Sequence, residues 1–145
     1  MTTPTRVQID DWLDQLFRIE QEVRLNLEPL TDPQFNWRPR VGGWSVGECL
    51  DHVALTTSLM LAKVRPALEQ AKAEGRMGGD GPYRFGPIGG WFVRMMETPG
   101  KRPMSAPRNF RPASSLPKSA ALGKFSGAMQ EFRDMREGAR GVALD

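Results

Sequence analysis

Ser45, Glu48, Cys49 and His52 lie within one eight-residue span that holds the only cysteine and the only histidine of the chain. One helical turn separates Cys49 from His52, a spacing at which a thiol and an imidazole can meet as nucleophile and base. Glu48 stands four residues before His52, where a carboxylate could hydrogen-bond the imidazole and raise its basicity, as such groups do behind metal-bound histidines. A site of Cys49, His52 and Glu48 can be drawn on paper. However, a catalytic zinc takes about three converging protein ligands, and three near neighbours on one helix rarely point at one ion. The commoner role of a lone helical histidine is structural, and that of a lone cysteine is a small buried hydrophobe. Spacing alone therefore assigns no catalytic and no cofactor-binding residue.

These side chains are positioned by the start of a helix. Ser45 and Glu48 have the Ser-x-x-Glu spacing of a capping box, in which serine accepts from the third helical N–H and glutamate reaches back to the cap N–H. The loop before it, Asn36-Trp-Arg-Pro-Arg-Val-Gly-Gly-Trp44, is punctuated by proline and glycine. The helix that follows has Val46, Cys49, Leu50, Val53, Thr57, Met60, Leu61, Val64, Leu68 and Ala71 on one side, which reads as the core stripe. Pro66 within it predicts a kink or a break into two collinear pieces, and Gly75 closes it. Glu48, His52, Leu55 and Leu59 form a second stripe, which calls for another helix or a subunit to cover it.

Before this helix, Ile9, Trp12, Leu13, Leu16, Ile19, Val23, Leu27 and Leu30 recur at steps of three and four, predicting a helix from about Arg6 to Leu30 that Pro33 terminates. After it, seven of the fifteen glycines fall between positions 75 and 90. The Lys-Ser/Thr of a phosphate loop is absent, so a hinge is expected there. Trp91–Met96 predicts one or two helical turns. Five prolines between Pro99 and Pro117, alternating with Lys101, Arg102, Arg108 and Arg111, predict an extended polyproline-like strap. A last helix, about Leu116 to Glu137, carries Leu122, Phe125, Met129, Phe132 and Met135. No stretch alternates like a strand, so the chain reads as one all-α domain with three long helices.

Bulk properties narrow the function classes. With 145 residues the chain suits a single domain. It has no run of apolar residues long enough for a membrane span and no signal-peptide core, so a cytoplasmic protein without membrane attachment is expected. One cysteine permits no internal disulfide. The net charge is +3, and residues 75–145 are the basic half, with 12 basic and 6 acidic side chains. Basic side chains around Phe110 could touch single-stranded nucleic acid, but a strap of prolines crossing a bundle explains them at least as well, and nucleic acid is not the expected partner.

The pattern Leu30-Thr-Asp with Trp37-x-Pro39, followed by Gly43-Trp44-Ser45-Val46-x-Glu48-x-Leu50-x-His52, resembles the DinB-like (DinB and YfiT) superfamily of bacterial four-helix proteins. Ala106-Pro-Arg-x-Phe-Arg-Pro112 is similar to the connection before that family's third helix. The resemblance implies an up-and-down helical bundle in which His52 is the first of three metal ligands. It also implies a divalent metal such as zinc or nickel in a complete site, and activity as a metal-dependent hydrolase or a transferase acting on a small-molecule thiol. The family's other two ligands form a His-x-x-x-His pair on a fourth helix, and this sequence has neither. The expectation is a bundle without its fourth helix, holding no metal of its own and inactive or incomplete as this chain unless another chain supplies ligands, or else a metal-free interaction domain. With the second stripe left open, it should form a homodimer or a larger oligomer.

Overall fold

Two capping boxes set where the chain turns helical. The computed structural model describes residues 5–78, 86–97, 105–139 and 141–142, with the side chains of residues 5–9 outside the description. In chain order the helices are α1 (Thr5–Leu27), α2 (Asp32–Phe35), α3 (Val46–Ala73), α4 (Pro87–Glu97) and α5 (Lys118–Gly138), with a 3₁₀ turn at Arg108–Phe110. Among the described residues there is no β-strand, and Met77 and Val142 form one isolated antiparallel bridge. No described helix is long and apolar enough to cross a membrane.

At α3 the expected box forms: Ser45 Oγ accepts from the Glu48 N–H at 3.1 Å, and Glu48 Oε2 accepts from the Ser45 N–H at 2.8 Å. The other box was not anticipated. The predicted first helix ends at Leu27, and Thr31 starts the one-turn α2, where Gln34 Oε1 accepts from the Thr31 N–H at 2.8 Å. Pro33 sits in the first turn of α2, where its missing N–H costs no intrahelical bond. The proline expected to terminate the first helix instead lies beyond its end and opens another. The turn leading to α3 closes with the Gly43 N–H donating to the Arg40 carbonyl at 3.0 Å, and Gly42 takes the φ of 74° that this turn requires.

α3 and α5 form the principal helix pair. Their core joins Phe35, Leu50 and Ala54 to Ala121, Phe125, Ala128 and Met129, with Leu16, Val23, Leu27 and Leu30 packed against it from the N-terminal side. A second cluster of Leu61, Leu68, Ala71, Met135 and Val142 continues it toward the far end of the pair. Ion pairs from Arg133 to Glu20 (2.5 Å) and from Arg136 to Asp10 (2.8 Å) tie α5 to α1. Lys118 Nζ donates to the Glu28 and Leu30 carbonyls, each at 2.6 Å, satisfying backbone acceptors left over at the end of α1.

Three expectations are corrected. Of the kink or break expected at Pro66, the break does not occur, since α3 runs continuously through it; Ala62 and Pro66 are both exposed, so water can satisfy the carbonyl that the proline leaves without a donor. The core face of α3 is rotated from the apolar stripe: Gly47, Glu48, Leu50, Asp51, Ala54, Leu61 and Leu68 are buried, whereas Val46, Val53, Met60 and Val64 are exposed. The short helix α4 spans 11 residues rather than one or two turns and begins at Pro87, inside the expected loop. Proline suits a first helical position, which moves that boundary upstream. Of the expected strap, residues 99–104 lie outside the described residues. Pro107 and Pro117 have polyproline-type dihedrals, and the Arg108–Phe110 turn interrupts the extended chain.

Candidate functional site

The first two turns of α3, the loop before them and the segment around Phe110 enclose His52. Its Nδ1 lies 2.6 Å from the Phe110 carbonyl oxygen. A carbonyl can only accept, so the proton of this bond resides on Nδ1, and a neutral His52 keeps its lone pair on Nε2. The Trp44 ring packs against the imidazole with centroids 4.9 Å apart and planes at 49°. The ring is thus held on one edge by a hydrogen bond and on one face by an indole. It remains half-buried.

Glu48 does not face His52. Its carboxylate accepts from Arg38 Nε at 2.9 Å and from the Ser45 N–H, and a second Arg38 nitrogen donates to its other oxygen. This hydrogen-bonded guanidinium, chiefly, holds the Glu48 pKa below the usual carboxylate value; burial opposes the shift and the Ser45 bonds reinforce it. Glu48 is therefore a fixed anion that ties the Trp37–Pro39 loop to the start of α3, which corrects the expectation that it could support the imidazole. Cys49 is exposed. Lost hydration, and second the Glu48 charge, push its thiol pKa up, the opposite of what activates a nucleophilic cysteine.

Asp51 is a buried, hydrogen-bonded carboxylate beside His52 that reading the sequence did not single out. It is 3% exposed, and both oxygens are used: Oδ1 accepts from Lys124 Nζ on α5 and Oδ2 from the Ala113 N–H, each at 2.8 Å. The available signal was a carboxylate on the side of α3 that turns inward, one residue before the histidine.

Fit to a metal is partial. His52 presents one nitrogen in the tautomer that a ligand needs. Glu48 and Asp51 are engaged elsewhere, and among the described residues no three of histidine, cysteine, aspartate and glutamate converge as a metal-binding group. These residues alone do not constitute a metal centre.

The chain's sequence matches the DinB superfamily over residues 15–144. It belongs to that superfamily. The match takes in the capped start of α3, His52 and the Phe110 segment, so the all-α fold is a DinB-type fold. A Bacillus pumilus (strain SAFR-032) protein named "Putative metal-dependent hydrolase" is 40% identical over 50 residues, which cover 34% of this chain and 29% of that protein. The match therefore spans less than a third of the relative's length. No solved structure matches this DinB chain.

Proposed function

We propose that this DinB chain contributes His52 as one ligand of a divalent-metal site, zinc or nickel, whose other ligands come from outside the described residues. In that complete form the protein would act as a metal-dependent hydrolase or as a transferase of small-molecule thiols. A bound metal would supply Lewis acidity, polarising a substrate oxygen or lowering the pKa of a water or thiol. The observation that carries the reading is the Nδ1 hydrogen bond of His52 to Phe110. Metal-binding histidines characteristically donate their other ring N–H to a carbonyl or carboxylate, which orients the ring. The name of the Bacillus pumilus relative supports metal dependence, and the DinB membership of this chain supports the scaffold.

As this chain, the protein is expected to be inactive, because one imidazole cannot hold a catalytic ion. Metal analysis after loading with zinc or nickel and exhaustive dialysis checks this. Retention well below one equivalent is expected, together with no thiol transfer or ester hydrolysis above that of His52→Ala. A full equivalent retained by both proteins would contradict the assignment of His52.

A second reading is favoured by the exposed apolar side chains Val53, Met60 and Val64 on α3 and Ile88, Trp91, Phe92 and Met96 on α4. In it the chain is a metal-free interaction domain that self-associates through these faces, and His52 is structural.

A further inference from the structure

We propose that Asp51 is a positioning residue that fixes the tautomer of His52 by holding the Phe110 segment in place. The inference deepens the metal-ligand reading of His52, but what it states is a property of the metal-free chain.

Two consecutive residues of α3 grip the same segment. His52 donates to the carbonyl of Phe110, and three residues further on the Ala113 N–H donates to Asp51 Oδ2. Between residues 105 and 117 the only regular structure is the Arg108–Phe110 turn, so the backbone there depends on side chains for its placement. Arg111 Nε reaches back to the Ala106 carbonyl at 3.1 Å, a bond inside the segment that anchors it to nothing else. At the α5 end, Asn36 Nδ2 donates to the Leu116 carbonyl at 2.9 Å and the Lys118 N–H donates to Asp32 at 3.2 Å. The hydrogen bond from Ala113 to Asp51 is the anchor nearest Phe110 apart from the one His52 itself makes.

Chemistry favours a role beyond packing. Asp51 lies on the inward face between Leu50 and Ala54, where an apolar side chain would avoid the desolvation of a charge. Its carboxylate is oriented by Lys124 from α5, so three elements meet at one side chain. Removing it frees the Phe110 carbonyl to drift, and His52 Nδ1 then loses its designated acceptor. An imidazole without such a partner favours the form protonated at Nε2, which has no lone pair there to give to a metal or a proton.

Because the chain has one histidine, a nitrogen-15 imidazole spectrum contains a single set of signals. Measured on the full chain, chelator-treated and with the imidazole in its neutral form, the wild type is expected to show Nδ1 protonated and Nε2 unprotonated. In Asp51→Ala the Nε2 signal should shift upfield, from the pyridine-type to the pyrrole-type position. Asp51→Asn, which retains an acceptor oxygen for the Ala113 N–H, should restore most of the wild-type pattern. Ala113→Pro deletes the donated N–H and leaves Lys124 as a partner for Asp51, while also fixing φ at 113 and restricting Pro112; it should shift Nε2 in the same direction and serves if Asp51→Ala does not fold. A folded Asp51→Ala or Ala113→Pro with the wild-type tautomer overturns the inference, as does a wild type protonated at Nε2. An Nε2 signal that excess zinc leaves unmoved, with this tautomer pattern intact, would count against the metal reading alone.

Discussion

At Glu48 a single side chain caps a helix, pairs with Arg38 and fixes a loop, and the pairing with Arg38 is strongest when it is charged. Its pKa is held below the ordinary value of 4.5 by the Arg38 hydrogen bond first and by the Ser45 bonds as well. In acid the unfolded chain binds this proton more readily than the folded one. The stabilisation is therefore complete above about pH 4.5 and is lost as pH falls through the lower folded-state value. Urea unfolding from pH 7 to pH 3 should show a loss of stability that is smaller in Glu48→Gln than in the wild type. Equal losses in the two proteins would mean that Glu48 is not the linked group. The Ser45–Glu48 spacing and His52 were legible in the sequence because both depend on local rules. The partners of His52 and Asp51 were not, since Phe110, Ala113 and Lys124 are 58 to 73 positions away and nothing in their residue types announces the pairing.

At the scale of elements, α3 shows why periodicity placed the helix correctly and caught Leu50, Leu61, Leu68 and Ala71 of its core face but missed the inward-facing polar and small residues. A hydrophobic wheel scores Glu48 and Asp51 as outward and glycine as neutral, yet all three of Gly47, Glu48 and Asp51 face inward. The two acids are admitted because each is fully hydrogen-bonded, and the glycine is required by contact. A Cβ on Gly47 would lie 2.6 Å from Cε1 of Phe35, which is fully buried. Gly47→Ala should therefore force α2 away from α3 and destabilise the fold by about 1–3 kcal/mol, the usual range for overpacking. Chemical denaturation measures it, and a change within about 0.5 kcal/mol, typical of an unconstrained surface site, would show that Phe35 can move aside. Thr31 to Gln34 illustrates the converse case: the capping-box spacing was present in the sequence but was masked by reading Pro33 only as a helix breaker.

At the scale of the whole molecule, large apolar side chains are exposed on three of the described helices. On α1 alone Trp12, Phe17, Ile19 and Leu25 are exposed, in addition to those of α3 and α4. If these side chains form a contiguous patch, association follows, and the expected outcome is a chain that sediments as a dimer or larger species at micromolar concentration. A monomer that binds no hydrophobic dye would contradict that expectation. Nothing about association decides what His52 does, and the central claim rests on a single nitrogen atom. The most direct test is to titrate zinc into the metal-free chain while recording the nitrogen-15 signals of His52. The account predicts that the Nε2 signal moves on zinc addition while Nδ1 stays protonated against Phe110, with the weak, readily reversed binding of a lone imidazole. An Nε2 signal unmoved by excess zinc would contradict it.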